Sequence, residues 1–194
     1  MMKLMYLDIE TTGLDPDQDQ ILEIGCVLDD LSNPKRPLNL LPTFHAYLKH
    51  ERYSGNAIAL AMNAEILKKC NQEGDNPKYI AKSMLYWLEK HEVFNNIESL
   101  TVAGKNVGAF DYQFLVRLPG FSRDGGRIKI NNTRVVFGQR VFDPAPYFYQ
   151  PGDANLPNLD TCLKRANIPK KTDHTALGDC FLIAELIRFI HNSF

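Results

Sequence analysis

Met5-Tyr6-Leu7-Asp8-Ile9-Glu10-Thr11-Thr12-Gly13-Leu14 is the stretch on which the fold of this chain turns. Tyr6, Asp8 and Glu10 alternate with Leu7 and Ile9, so the segment reads as a β-strand with both carboxylates on one face, about 7 Å apart along it. Leu7 and Ile9 face the other way. Thr11-Thr12-Gly13 then supplies turn chemistry and a glycine that can take positive φ where backbone must approach something closely. Two acids on one face of an otherwise apolar strand repel each other and resist desolvation, which calls for a divalent cation between them. Taken alone, the stretch also fits a solvated edge strand with its polar residues outward.

The remaining 184 positions of the 194-residue chain bear on that choice. A hydrophobic content of 44% is enough for one well-buried core, so a single domain over residues 1–194 is expected. The formal net charge of -1 conceals an asymmetry. Asp8, Glu10, Asp15, Asp17, Asp19, Glu23, Asp29 and Asp30 crowd the start, against Lys3. Later, Arg117, Arg123, Arg127, Lys129, Arg134, Arg140, Lys164, Arg165, Lys170 and Lys171 reverse the balance. Such a half can guide a polyanion toward metals held by the other, although each of these charges taken singly equally fits an ordinary solvated one. Cys26, Cys70, Cys162 and Cys180 show no paired spacing, and Cys26 and Cys180 fall in periodic segments as small core residues. A reducing compartment fits. With no charged leader, and no apolar run near the ~18 residues that span a bilayer, a cytoplasmic protein without membrane association is expected.

Along the chain, Asp15 to Gln20 is a polar turn and Ile21 to Leu28 a second strand, antiparallel to the first. A third strand is expected around Phe44 to Leu48. Helices follow over Asn56 to Lys69, with Ile58, Met62, Ile66 and Leu67 on the apolar face, and over Tyr79 to Lys90, with Trp87 in the core. Leu100 to Gly104 reads as an interior strand, and Asn106 stands where a helix N-cap is wanted. In that helix Val107, Phe114 and Leu115 lie three or four positions from Asp111, and Leu118 seven, so its carboxylate points inward and needs a partner. Tyr147, Phe148 and Tyr149, in the Pro-rich segment from Phe137 to Asn158, form either a base-stacking surface or a plug of rings against the core. After a short helix over Leu159 to Ala166 and a basic loop, the closing helix carries Leu182, Ile183, Leu186, Ile187 and Ile190. Asp179 lies at the start of its apolar stripe. His174 precedes Asp179 by five residues, which at about 100° per residue puts the two on different faces if both are helical, so His174 belongs in the loop or first turn.

Three elements thus aim carboxylates inward. The ordered motifs DIETTG, GKNVGAFDYQFL and HTALGDC resemble those of the DEDDh branch of the DnaQ-like exonucleases, and the resemblance runs from Tyr6 to Ile190. It implies an α/β, ribonuclease-H-like fold: a mixed sheet of about five strands, the second antiparallel, flanked by helices. It also implies stepwise removal of mononucleotides from the 3′ end of single-stranded DNA or RNA. Phosphodiester hydrolysis fits the residues, since two ions ~3.5–4 Å apart can clamp attacking and leaving oxygens. A donor set of carboxylates alone favours Mg²⁺ or Mn²⁺ over zinc. By resemblance Asp8 would bridge two such ions, Glu10 and Asp179 would complete one site, and Asp111 would support the other. His174 would take the proton from the attacking water. Backbone around Thr11, Thr12 and Gly13 would seat the terminal nucleotide, and Leu14 would wedge against its base. Asn106, five places before Asp111, resembles the pattern in oligoribonucleases and small repair exonucleases and joins the substrate-binding set.

The chain ends soon after the third motif, where replicative proofreading subunits carry a polymerase-binding segment. A stand-alone enzyme acting on 3′ ends or short oligonucleotides is expected, and a homodimer is compatible with it. Two rival readings share the fold. A non-catalytic nucleic-acid-binding module has no reason to retain four inward carboxylates and the histidine. An endonuclease of the superfamily fits less well with His174 in a loop.

Overall fold

Alternation in the opening segment builds β1 (Lys3–Thr11), and the polar turn after it returns the chain as β2 (Ile21–Asp30), antiparallel, with Asp8 opposite Gly25 and Glu10 opposite Glu23. The computed structural model describes residues 3–91, 99–131, 133 and 136–193; Arg134 of the basic set lies outside them. β3 (Thr43–Tyr47) pairs with β2, while β4 (Ser99–Ala103) lies parallel to β1 and β7 (Val136–Phe142) parallel to β4. With β5 (Phe121–Asp124) and β6 (Arg127–Ile130) the sheet order is β3-β2-β1-β4-β7-β6-β5. This mixed α/β sheet, with an antiparallel second strand, is consistent with a ribonuclease-H-like fold. It has seven strands rather than about five. The additional pair is a hairpin turning through Asp124-Gly125-Gly126-Arg127, where Gly125 takes φ 62°, a conformation open to glycine and costly to most other residues.

Helices cover both faces. On one, Met5, Leu7 and Ile9 of β1 pack with Ile80, Met84, Trp87 and Leu88 of α3 (Pro77–Lys90); the ring centroids of Trp87 and Phe44 are 5.7 Å apart. On the other, Leu4 and Tyr6 pack with Leu182, Ile183, Leu186 and Ile187 of the closing helix, residues Ala176–Asn192. The four cysteines are free and buried. No helix among the described residues is long and apolar enough to cross a membrane.

Three local expectations need correction. The helix expected over Asn56 to Lys69 is two helices, α1 (Ala57–Met62) and α2 (Ala64–Glu73). They break at Asn63, whose buried side chain donates to the Thr11 carbonyl at 3.0 Å while the Asn56 amide donates to the Thr12 carbonyl at 2.8 Å. α1 therefore caps the end of β1 rather than covering the sheet, which leaves Ile58 71% and Met62 68% exposed instead of in the core. Asn106 is no N-cap: α4 is only Asp111–Leu115, with Phe110 at the cap position. Asn106 instead takes φ 61° and accepts from the Ala109 and Phe110 amides through its backbone carbonyl, an αL conformation that asparagine tolerates better than most residues. The aromatic segment begins inside β7. Beyond it Phe148 is buried, 6.2 Å from Phe189, whereas Tyr147 and Tyr149 face solvent, Tyr147 stacked on Phe142 at 5.6 Å.

The closing helix completes the count as α6, after α5 (Leu159–Arg165), and its seat on β2 positions the site. Glu23, Gly25, Val27 and Asp29 alternate along β2 and so share the face turned to α6. Glu23 accepts from the Ala176 amide at 3.1 Å, Cys180 Sγ donates to the Gly25 carbonyl at 3.2 Å, and Val27 joins the apolar cluster. Asp29 receives Nε and Nη2 of Arg188 at 2.8 and 2.7 Å, and the Tyr6 hydroxyl at 3.0 Å. From Ala176 to Arg188 a helix rises about 18 Å, and from Glu23 to Asp29 a strand rises about 20 Å, so both end contacts form without bending either element. The approach is close enough that a Cβ on Gly25 would stand 2.4 Å from the Ala176 carbonyl carbon.

Breaking a buried pair from one side leaves the other charge unpaired. We predict that Asp29→Ala lowers stability by about 3–5 kcal/mol, the usual cost of such a break. Asp29→Leu combined with Arg188→Met should recover most of that loss. Urea unfolding of the three proteins checks this, and a loss under about 1 kcal/mol, the worth of a surface pair, would show the pair to be solvated.

Candidate active site

Asp8 and Glu10 leave β1 two residues apart on the α6 face, and Asp179 comes down from the first turn of α6 to meet them. One carboxylate oxygen from each lies within 4.8 Å of the other two. That turn is held by Thr175, which caps α6 by accepting from the Gly178 amide at 3.2 Å and whose carbonyl accepts from the Asp179 amide at 2.9 Å. Oδ1 of Asp179 is buried and has no hydrogen-bond partner. Such an oxygen, on a residue gathered with two further carboxylates, fits a hard divalent cation. Asp111 is buried at the start of α4, outside the trio but within electrostatic reach of Asp8.

Burial holds the Asp8 carboxyl well above the ordinary carboxylate range, and the charges of Asp111, Glu10, Asp179 and Glu23 raise it further. Glu10 is pushed up to about 8, by burial first and then by Glu23 and Asp179, against a hydrogen bond with Asn63. Burial lifts Asp111 to about 7, opposed by backbone hydrogen bonds at Asp111 and Ile9. Asp179 rises to about 6 through burial and the charge of Asp173, with His174 pulling the other way. Without a cation, Glu10 keeps its proton at neutrality, whereas Asp179 has largely lost its own.

His174 sits in the loop before α6, exposed, at φ 54°. Such a backbone is uncommon for a residue other than glycine, and the side chain lies within electrostatic reach of Asp179. Leu14 is 83% exposed at the tip of the first turn. Thr11 and Thr12 are buried and engaged within that turn: the Thr11 hydroxyl donates to the Gly13 carbonyl at 2.6 Å, and the Thr12 hydroxyl accepts from the Gln20 amide at 2.8 Å. Gly13 does not take positive φ; its missing side chain makes room for the Asp19 carboxylate, which a Cβ would meet at 2.2 Å. Asn106 is exposed at the mouth of β4, its amide donating to Asp143 at 2.9 Å. The basic set is partly engaged: Arg117 pairs with Asp17, Arg165 with Asp153 and Lys170 with Glu185.

Glu23 is the residue that sequence reasoning passed over. It is fully buried beside the trio, opposite Glu10, yet both its oxygens are engaged by protein. The signal was present in its parity: Glu23 shares a strand face with Gly25, Val27 and Asp29 and pairs across from the β1 acids.

No family model and no curated protein sequence matches the chain. Solved structures do. The zinc-bound complex of E. coli exonuclease I with single-stranded DNA matches with a TM-score of 0.69 at 16% identity, over 100% of this chain and 41% of that one. The E. coli exonuclease I complex with a dT13 oligonucleotide matches with a TM-score of 0.66 at 16% identity, over 98% and 41%. A further exonuclease I structure gives 0.68 at 14%, over 99% and 41%. The likeness shows the fold, and the chain spans about two fifths of the length of these proteins.

The raised carboxyls dictate how stability depends on pH. A folded-state pKa above the unfolded value means that the folded chain holds more protons, so stability present at acidic pH is lost as pH rises through the folded value. We predict that the metal-free protein melts at progressively lower temperature from pH 4.5 to about 8, the interval over which Glu10 titrates. Saturating Mn²⁺ should restore more stability at the alkaline end, and Asp8→Asn should raise and flatten the metal-free profile. Differential scanning fluorimetry across this range checks it; a flat metal-free profile unmoved by Mn²⁺ would count against a cation site.

Proposed function

We propose that the chain is a metal-dependent 3′–5′ exonuclease that releases nucleoside monophosphates from single-stranded nucleic acid. The observation that carries this reading is the convergence of Asp8, Glu10 and Asp179 around an unpartnered carboxylate oxygen, in a fold shared with exonuclease I. Bound Mg²⁺ or Mn²⁺, two ions by resemblance, supplies Lewis-acid stabilisation of the charge that grows on the phosphodiester oxygens.

Asp8, Glu10 and Asp179 would hold the cation, with Asp111 supporting the site. His174, on its exposed loop, accepts through an imidazole nitrogen the proton of the attacking water. The new bond joins the water oxygen to phosphorus, and the bond from phosphorus to the penultimate 3′ oxygen breaks, that oxygen taking a proton from solvent. Leu14 is free to lie against the terminal base, and Ile58 and Met62 are exposed on the helix that caps β1. Thr11, Thr12 and Gly13 shape the turn beneath, and Asn106 flanks the mouth.

Matched DNA and RNA oligonucleotides labelled at the 5′ end are expected to shorten one nucleotide at a time with Mg²⁺ or Mn²⁺. A 3′-phosphate should stop digestion and a circular single strand should survive; cleavage of the circle would favour an endonuclease. His174→Ala should slow the single-turnover rate on the order of 10²–10⁴-fold, the usual worth of a positioned acid or base. Metal affinity, titrated separately, should survive that change. A His174→Ala protein at parental rate would remove the imidazole from the chemistry.

A further inference from the structure

Glu23 is 0% exposed and lies beside three other carboxylates, where its charge adds repulsion. A buried carboxylate without compensation costs several kcal/mol, so its partners matter. Oε2 accepts from the Ala176 amide at 3.1 Å, in the first turn of α6, and Oε1 lies 2.6 Å from Nε2 of His45 on β3. The N-terminus of a 17-residue helix favours an anion through its exposed amides and aligned peptide dipoles. Asp179 stands three residues further along that same turn. Glu23 thus links β3, β2 and the start of α6, immediately behind the point where Asp179 meets Asp8 and Glu10.

We infer that Glu23, steadied by His45, is a positioning residue for the cation site: it anchors the first turn of α6 to β2 and so holds the Asp179 carboxylate against those of β1. The inference rests on the proposed metal-dependent reading of the site. Glu23 stands outside the trio whose oxygens lie within 4.8 Å of one another, and each of its own oxygens has a protein partner. It acts through the backbone of α6, with Gly25 two residues on letting the helix come close enough for the tether to reach. Groups that orient metal ligands in this way typically contribute 10–100-fold in metal affinity or activity when removed.

The test is Mn²⁺ binding by electron paramagnetic resonance titration, with exonuclease kinetics on a 5′-labelled oligonucleotide read in parallel. Glu23→Ala should weaken Mn²⁺ binding on the order of 10–100-fold and lower kcat, leaving KM for the oligonucleotide unchanged. Glu23→Gln keeps an oxygen for the Ala176 amide and should restore both to within a few-fold of the parent. His45→Ala, which releases only Oε1, should cause a smaller loss and serves as the second variant if Glu23→Ala does not fold. Unaltered Mn²⁺ binding in Glu23→Ala, or in His45→Ala where that variant stands in, overturns the inference. So does a Glu23→Gln protein as impaired as Glu23→Ala, because charge rather than the tether would then be responsible. A parent that binds Mn²⁺ but leaves oligonucleotides intact overturns the exonuclease reading alone, and one that binds no Mn²⁺ overturns both.

Discussion

The seat of α6 on β2 is the contact on which the rest of this molecule depends. It has a hydrogen-bonded end at Ala176, a close backbone approach over Gly25, an apolar middle at Val27 and a buried ion pair at Arg188. Because strand and helix cover nearly the same distance between the two polar ends, the helix is fixed in register as well as in orientation. That matters chemically. Asp179 is on the first turn, and a slip of one residue along the helix would rotate its carboxylate by about 100° away from Asp8 and Glu10. The tie between Asp29 and Arg188, far from the carboxylates, is therefore part of what keeps them assembled.

The same arrangement carries a cost. Four acids gathered at the end of a buried strand, with Glu23 behind them, resist losing their protons, and a cation is the natural relief. Local stability is given up at the proposed cation site, and apolar packing on both faces of the sheet compensates. His174 shows the same tendency in the backbone: it holds a left-handed conformation, uncommon outside glycine, immediately before the Thr175 cap.

Much of this was legible beforehand because it follows from short-range periodicity. Alternation from Tyr6 to Glu10 placed two carboxylates on one face and helical spacing turned Asp179 inward, as the structure has them; Asp111 is buried too, although α4 is too short to include Val107 or Leu118. The errors came where a local pattern had two tertiary outcomes. Ile58 and Met62 recur at helical spacing as core residues do, but Asn63 is drawn aside to the end of β1, and the helix it interrupts lies over the strand end instead of the sheet face. The β5–β6 hairpin, which turns at Asp124-Gly125, is the pair of strands beyond the about five that the resemblance implies.

The sequence by itself determined the strand that carries Asp8 and Glu10, the antiparallel return of β2, the inward faces of Asp111 and Asp179, and the place of His174 in a loop, since each is set by residues within a turn or two of one another. Only the tertiary structure decided that Asp8, Glu10 and Asp179 meet within 4.8 Å, that Glu23 is engaged by His45 and Ala176 instead of joining them, and that the Thr11 and Thr12 hydroxyls are spent on their own turn. Those facts join residues as far apart in the chain as Asp8 and Asp179, or Glu23 and Ala176. They depend on how closely α6 approaches β2, a distance set by the absent side chain of Gly25 and the matched lengths of two elements, which no local periodicity encodes.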